Sequence, residues 1–176
     1  MPDKKSIYNY DNPKFAGLRQ PMRDVMGAYG NAERFFADIK EKTWLNFGLK
    51  YLTLEIHALE HIQPERVDIF KDILAQVGLP VEYPAVPELS EELTDIDKVF
   101  EVCIGIIDEI DESIERFVKY ASDNGFGALA RQAEQLQIDN SFDKALLLEA
   151  WNMFPNAGCL ATFDLWCEEL FEVETE

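Results

Sequence analysis

The sequence predicts an all-α protein, a bundle of four long helices with one long crossover. Three observations carry this. Apolar residues recur at helical spacing in four long stretches, no stretch alternates with the two-residue period of a strand, and a proline-punctuated segment separates the second stretch from the third. At that length the separating segment can run the full height of a bundle, so the second and third helices need not be hairpin neighbours.

Taken in order, residues 1–20 read as an extended N-terminal arm, because YNYDNP and Pro13 oppose a helix; Tyr8, Tyr10 and Phe15 are its docking residues. The bundle itself is assigned to residues 21–154. Its first helix begins at Pro21, is weakened by Gly27 and Gly30, and is most convincing over 31–43, where Ala32, Phe35, Phe36 and Ile39 share a face. The second helix, about 44–77, carries Leu45, Leu49, Leu52, Ile56 and Leu59 on one stripe. Phe47, Tyr51, Leu54, Ala58 and His61 lie opposite, which implies burial on two faces. Pro64 should kink this helix or start a new one. A rival parse makes 31–62 one unbroken helix.

Residues 81–94 form the crossover. Thr94 and Asp95 then supply an N-cap, with Asp97 in the first turn, for a third helix lined by Val99, Cys103, Ile106, Ile110, Phe117 and Ala121. Asp123-Asn124-Gly125 is a stop and turn. The fourth helix starts near Phe126 and packs through Leu129, Ala133, Leu136, Leu147, Trp151 and Phe154. Residues 155–176 are a short amphipathic helix, with Phe163, Trp166, Leu170 and Phe171, and an acidic tail.

The 176 residues suffice for one domain with a sizeable core. With 34 acidic residues against 16 basic, the net charge of −18 excludes direct binding of nucleic acid or an anionic membrane surface, which needs the opposite sign. It suits solubility, cations or a basic protein partner. Charges interrupt every apolar run, and the first residues lack a signal-peptide pattern, so a cytoplasmic protein is expected. The three cysteines, Cys103, Cys159 and Cys167, show no CxxC spacing and imply no disulfide framework. The two-faced second helix and the aromatic C-terminal segment point to a homo-oligomer.

Functional candidates are polar residues standing where apolar ones belong. Asp111 falls inside the apolar arc of the third helix, among Phe100, Ile104 and Val118. Asn140 interrupts the stripe of the fourth, and each asks for a buried partner. Residues equidistant from a tight turn meet across an antiparallel pair. Asp111 and Asn140 average to the Gly125–Phe126 turn, and Glu33 and His61 to Phe47. Each helix thus offers one polar group at mid-height, a set with the donor chemistry of an iron or manganese ligand shell. His57, one turn before His61, is a further candidate. Each also has a bland reading: Glu33 as a solvated carboxylate, His57 and His61 as boundary histidines, Asp111 in a buried hydrogen-bond network, and Asn140 as a helix cap.

On these residues the chain resembles the ferritin-like superfamily, bacterial ferritins in particular. Asn31-Ala32-Glu33 with Phe35-Phe36 is similar to the first-helix motif of that family, ILAQVGLPVEYPAVPEL to its entry into the crossover, DKVFE at 97–101 to the start of its third helix, and QIDN at 137–140 to its fourth-helix site. The resemblance implies a di-iron centre with a Glu from the first helix, a Glu-x-x-His pair from the second, a Glu from the third and a Gln or Glu from the fourth. By position Glu33, His61, Asp111 and Asn140 take those roles. The departure is Ala58, which stands where the bridging Glu before His61 belongs, so the implied centre is a reduced one, with one metal ion or none.

Overall fold

The computed structural model describes residues 13–76 and 83–171. Its elements are α1 (Pro13–Phe47), α2 (Lys50–Gln76), α3 (Ile96–Asp123), α4 (Gly127–Met153), a 3-10 turn at Phe154–Asn156 and α5 (Leu160–Phe171). There is no strand among the described residues. Helices α1 and α2 form one antiparallel hairpin and α3 and α4 the other. The crossover between α2 and α3 joins them, as the sequence predicts.

The first helix is longer than its sequence suggests. It is already helical at Pro13, so the extended arm cannot include residues 13–20; residues 1–12 with Tyr8 and Tyr10 lie outside the described residues. Tertiary contacts hold this extra length: Tyr120 donates to the Lys14 carbonyl at 3.1 Å, and Phe15 packs on Phe126 with ring centroids 5.1 Å apart. Leu18, Met22, Val25, Met26, Tyr29, Ala32, Phe36, Ile39 and Thr43 make its buried stripe. The helix runs through Gly27 because the crossover needs room there: a Cβ on Gly27 would stand 2.9 Å from Pro84 Cγ. A residue that weakens the helix locally is thus the seat on which the crossover rests.

Gly48, at φ 66°, turns the chain back, a conformation that favours glycine. This turn rules out the unbroken helix over 31–62. Helix α2 then has no capping side chain of its own at its start. Asp164 of α5 supplies it, accepting from the Lys50, Tyr51 and Leu52 amides at 2.8, 2.9 and 3.3 Å. Pro64 lies inside α2, which is helical on both sides of it.

Asp95 caps α3 by accepting from the Lys98 amide at 2.8 Å, as its position predicts. Gly125 at φ 86° makes the α3–α4 turn. Helix α5 folds back over the end of the bundle. Phe163 is buried there against Phe154 and Phe100, with ring centroids 5.1 and 6.1 Å away. All three cysteines are free thiols, Cys103 and Cys167 buried and Cys159 exposed. No described helix is long and apolar enough to cross a membrane.

Candidate functional site

The bundle interior carries one polar layer, and it differs in composition from the predicted one. Asp111 and Asn140 do meet: the Asn140 amide donates to Asp111 Oδ1 at 2.7 Å. The carbonyl oxygen of the same amide accepts from Arg66 Nη1 at 2.9 Å. The other arm of the guanidinium pairs with Asp143 at 2.7 Å. Arg66 is 5% exposed and Asn140 fully buried. Tyr29 completes the layer from α1, its hydroxyl beside Asn140 and Arg66 without a well-formed hydrogen bond.

Burial sets the protonation chemistry of this layer. It pushes Asp111 up from the ordinary carboxylate range against the pull of the Asn140 hydrogen bond and of Lys144 and Arg66. Burial raises Asp143 too, with Arg66 opposing and Asp139 adding to the rise. Lys144 is held nearby by an ion pair with Asp108. Glu55, lower on α2, is pushed up to about 7 by burial and then by the charge of Asp143.

Helix α2 contradicts the two-faced reading. Its buried residues are Leu52, Ile56, Leu59, Gln63, Arg66, Val67, Phe70, Ile73 and Leu74, one face that continues from Leu49 in the turn before it. His61 stands two residues from both Leu59 and Gln63, about 200° around the helix from each. It is therefore exposed, and Ala58 with it, rather than turned into an apolar interior. Glu33 is exposed as well. The four mid-height candidates accordingly divide between the interior, which receives Asp111 and Asn140, and the outer face of α1 and α2, which receives Glu33 and His61.

That outer face has its own cluster. His57, Glu60 and His61 occupy positions i, i+3 and i+4 of α2, and their ligand atoms lie within 4.8 Å of one another. His57 Nδ1 is 3.0 Å from Glu60 Oε2, and the two imidazoles meet edge-on with centroids 4.3 Å apart. Lys40 reaches in from α1, 2.5 Å from the same Glu60 oxygen and 3.2 Å from His57 Nδ1. Burial alone would raise the Glu60 carboxyl, but the hydrogen bonds and charges of Lys40 and His57 outweigh it and hold Glu60 below its ordinary value. Glu60 and Glu33 line one cleft of about 490 Å³, closed on the crossover side by Val86, Pro87 and Glu88.

The two places fit a metal ion differently. In the interior the carboxylates that join the Arg66–Asn140 network are Asp111 and Asp143, and α2 contributes Gln63 and Arg66 where a Glu-x-x-His pair would face inward. The carbonyl oxygen of Asn140 and a carboxylate oxygen of Asp143 are already held by a fixed guanidinium. A divalent cation about 4 Å from Arg66 would meet a repulsion on the order of 8 kcal/mol at an effective dielectric of about 20. The interior therefore does not fit a di-metal centre. The outer cluster, with two imidazoles and the Glu60 carboxylate around a displaceable ammonium, does fit one divalent ion.

Arg66 and Tyr29 escaped the sequence reading, yet a signal was there. Each stands at a heptad position of otherwise apolar residues: Leu52, Leu59, Arg66, Ile73 on α2 and Met22, Tyr29, Phe36 on α1. The same spacing places Asp111 between Ile104 and Val118, and Asn140 between Ala133 and Leu147.

No protein-family model and no curated protein matches the chain by sequence. Among solved structures it is similar to a mycobacterial bacterioferritin, with a TM-score of 0.67 at 16% identity over 86% of this chain and 92% of that one. The chain thus has the ferritin-like fold, an all-α bundle of that architecture.

Proposed function

We propose that this protein binds a single divalent metal ion, iron or manganese, on the outer α1–α2 face, and that it handles metal without the paired-ion oxidation chemistry of an interior centre. The observation that carries this is the convergence of His57, Glu60 and His61 within 4.8 Å, with Glu33 lining the same cleft as Glu60. Two imidazoles with carboxylates form a donor set for Fe(II) or Mn(II). Incoming metal displaces Lys40, which holds Glu60 in its absence. Asp111 and Asn140 belong to the Arg66 network instead and stand outside this site. The bacterioferritin likeness supports an iron-handling background at the level of fold.

Equilibrium dialysis against Mn(II), and anaerobically against Fe(II), at slightly alkaline pH tests the proposal. One ion per chain is expected, with affinity falling about tenfold or more in His57→Ala or His61→Ala and unchanged in Asp111→Asn. Binding below about 0.1 ion per chain after reloading overturns it. In that outcome a metal-free acidic helical module, possessing a net charge of −18 for a basic partner, becomes the better reading. Lys40 already seated on Glu60 favours that rival.

The same proposal includes a homo-oligomer. Ile69, Ile138 and Phe142 are exposed large apolar residues, and Ile69 and Phe142 line the cleft between α2 and α4. Light scattering should give a mass above that of one chain, reduced by Phe142→Asp.

A further inference from the structure

We infer that Arg66 is the resident cation of the bundle interior, a side chain that does there what a bound metal ion would do, so that the polar layer is a latent metal site closed by one guanidinium. The geometry is that of a cation with its shell. Arg66 stands 2.9 Å from the Asn140 carbonyl oxygen and 2.7 Å from Asp143, and Asn140 passes the interaction on to Asp111 at 2.7 Å. Three helices are thereby tied to one positive charge, α2 through Arg66, α3 through Asp111, and α4 through Asn140 and Asp143. The orientation of the Asn140 amide follows, because its oxygen must face the guanidinium and its NH₂ the Asp111 carboxylate.

Access does not keep metal out. A cleft of about 310 Å³ between α2 and α4 has Arg66 and Asp143 in its lining, together with Glu65 and Asp139, whose charges attract cations. What excludes an ion is the charge already present, on a planar fork that engages two acceptors at once and is the less readily hydrated of the two basic side chains. Replace that fork by a neutral ligand and hard donors remain, the Asp143 carboxylate and the Asn140 amide oxygen that face the guanidinium, with the Asp111 carboxylate one hydrogen bond behind Asn140.

The experiment uses the full chain carrying His57→Ala and His61→Ala, so that the outer cluster is disabled and its failure or success does not enter. The probe is Co(II), followed by equilibrium dialysis and visible absorption. This parent should bind no Co(II) that depends on the interior, so adding Asp143→Asn changes nothing. Adding Arg66→His should create a site, about one Co(II) per chain and about 100-fold tighter than the parent, and Asp111→Asn on top should abolish it. Arg66→Lys, which keeps the charge, should stay closed. The inference is overturned if the parent already binds Co(II) through Asp111 or Asp143, if folded Arg66→His binds no more than the parent, or if Arg66→Lys opens the site. Should Arg66→His fail to fold, the effect of Asp143→Asn on the parent decides: loss of binding overturns the inference, and no change supports it.

Discussion

Arg66 and Lys40 play the same part in two clusters that differ in their access to water. Each is a basic side chain held among acceptors, Arg66 on Asn140 and Asp143, Lys40 on Glu60 and His57. The Arg66 side chain is 6% exposed and the Lys40 side chain 27%. In the interior the acceptors are buried with the guanidinium, which cannot leave without stranding them. On the outer face water screens the pair and can solvate either partner alone. The same chemistry is therefore structural in one place and exchangeable in the other. Only the exchangeable one suits a metal site.

The comparison breaks most visibly at Arg66. Arg66→Leu should cost about 3–5 kcal/mol in urea unfolding, since it leaves Asp143 and Asn140 buried without their partner. If it costs under about 1 kcal/mol, the interior cluster is no more structural than the outer one. Asn140→Ala should cost about 2 kcal/mol, because both Arg66 and Asp111 lose a hydrogen bond that water does not readily replace.

The acid groups around the layer sharpen the contrast through pH. Glu55 is raised to about 7 in the folded protein, above its ordinary value of 4.5, so the folded state holds the proton more tightly than the unfolded chain. Its contribution to stability is present below the unfolded value and lost as pH rises through about 7. Asp111 and Asp143, also raised, act with the same sign. Unfolding measured between about pH 5 and 8 should show this loss, and Glu55→Gln should remove a part on the order of 2 kcal/mol after allowance for screening. Glu60, held low, acts in the opposite sense at acid pH.

The smallest expected effect on stability is at Lys40. Lys40→Met should change unfolding by less than about 1 kcal/mol. Titration of the same variant should show metal affinity raised about tenfold, a gain near 1.4 kcal/mol, because the ion no longer competes with an ammonium for Glu60 and His57. A large loss of stability without any gain in affinity would put Lys40 with Arg66 as a structural cation.

The α3–α4 hairpin was the legible half of this molecule. Its cap at Asp95, its turn at Gly125 and its Asp111–Asn140 contact all follow from local residues and from counting away from a tight turn. The α1–α2 hairpin was not. Counting from its turn matched Glu33 with His61 in height, but height does not say which way a side chain points. With Tyr51, Leu54 and Ala58 around it, the outer face of α2 is apolar enough to imitate a second buried face. Burial in fact follows the Leu52, Leu59, Arg66, Ile73 row. A charged residue in that row is invisible to a search for hydrophobic stripes.

By itself the sequence determined the helical periods, the caps and turns that lie within a few residues of their partners, and the presence of polar intruders in an apolar core. These are local, set by 3.6-residue geometry and by single side chains acting on nearby backbone. The tertiary structure alone decided which residues share a charge. Asp164 caps α2 from 114 positions along the chain, Pro84 rests on Gly27, and Arg66 joins Asn140 across 74 positions. The physical reason is that a buried charge chooses its partner by desolvation and distance, and packing four helices together is what fixes both.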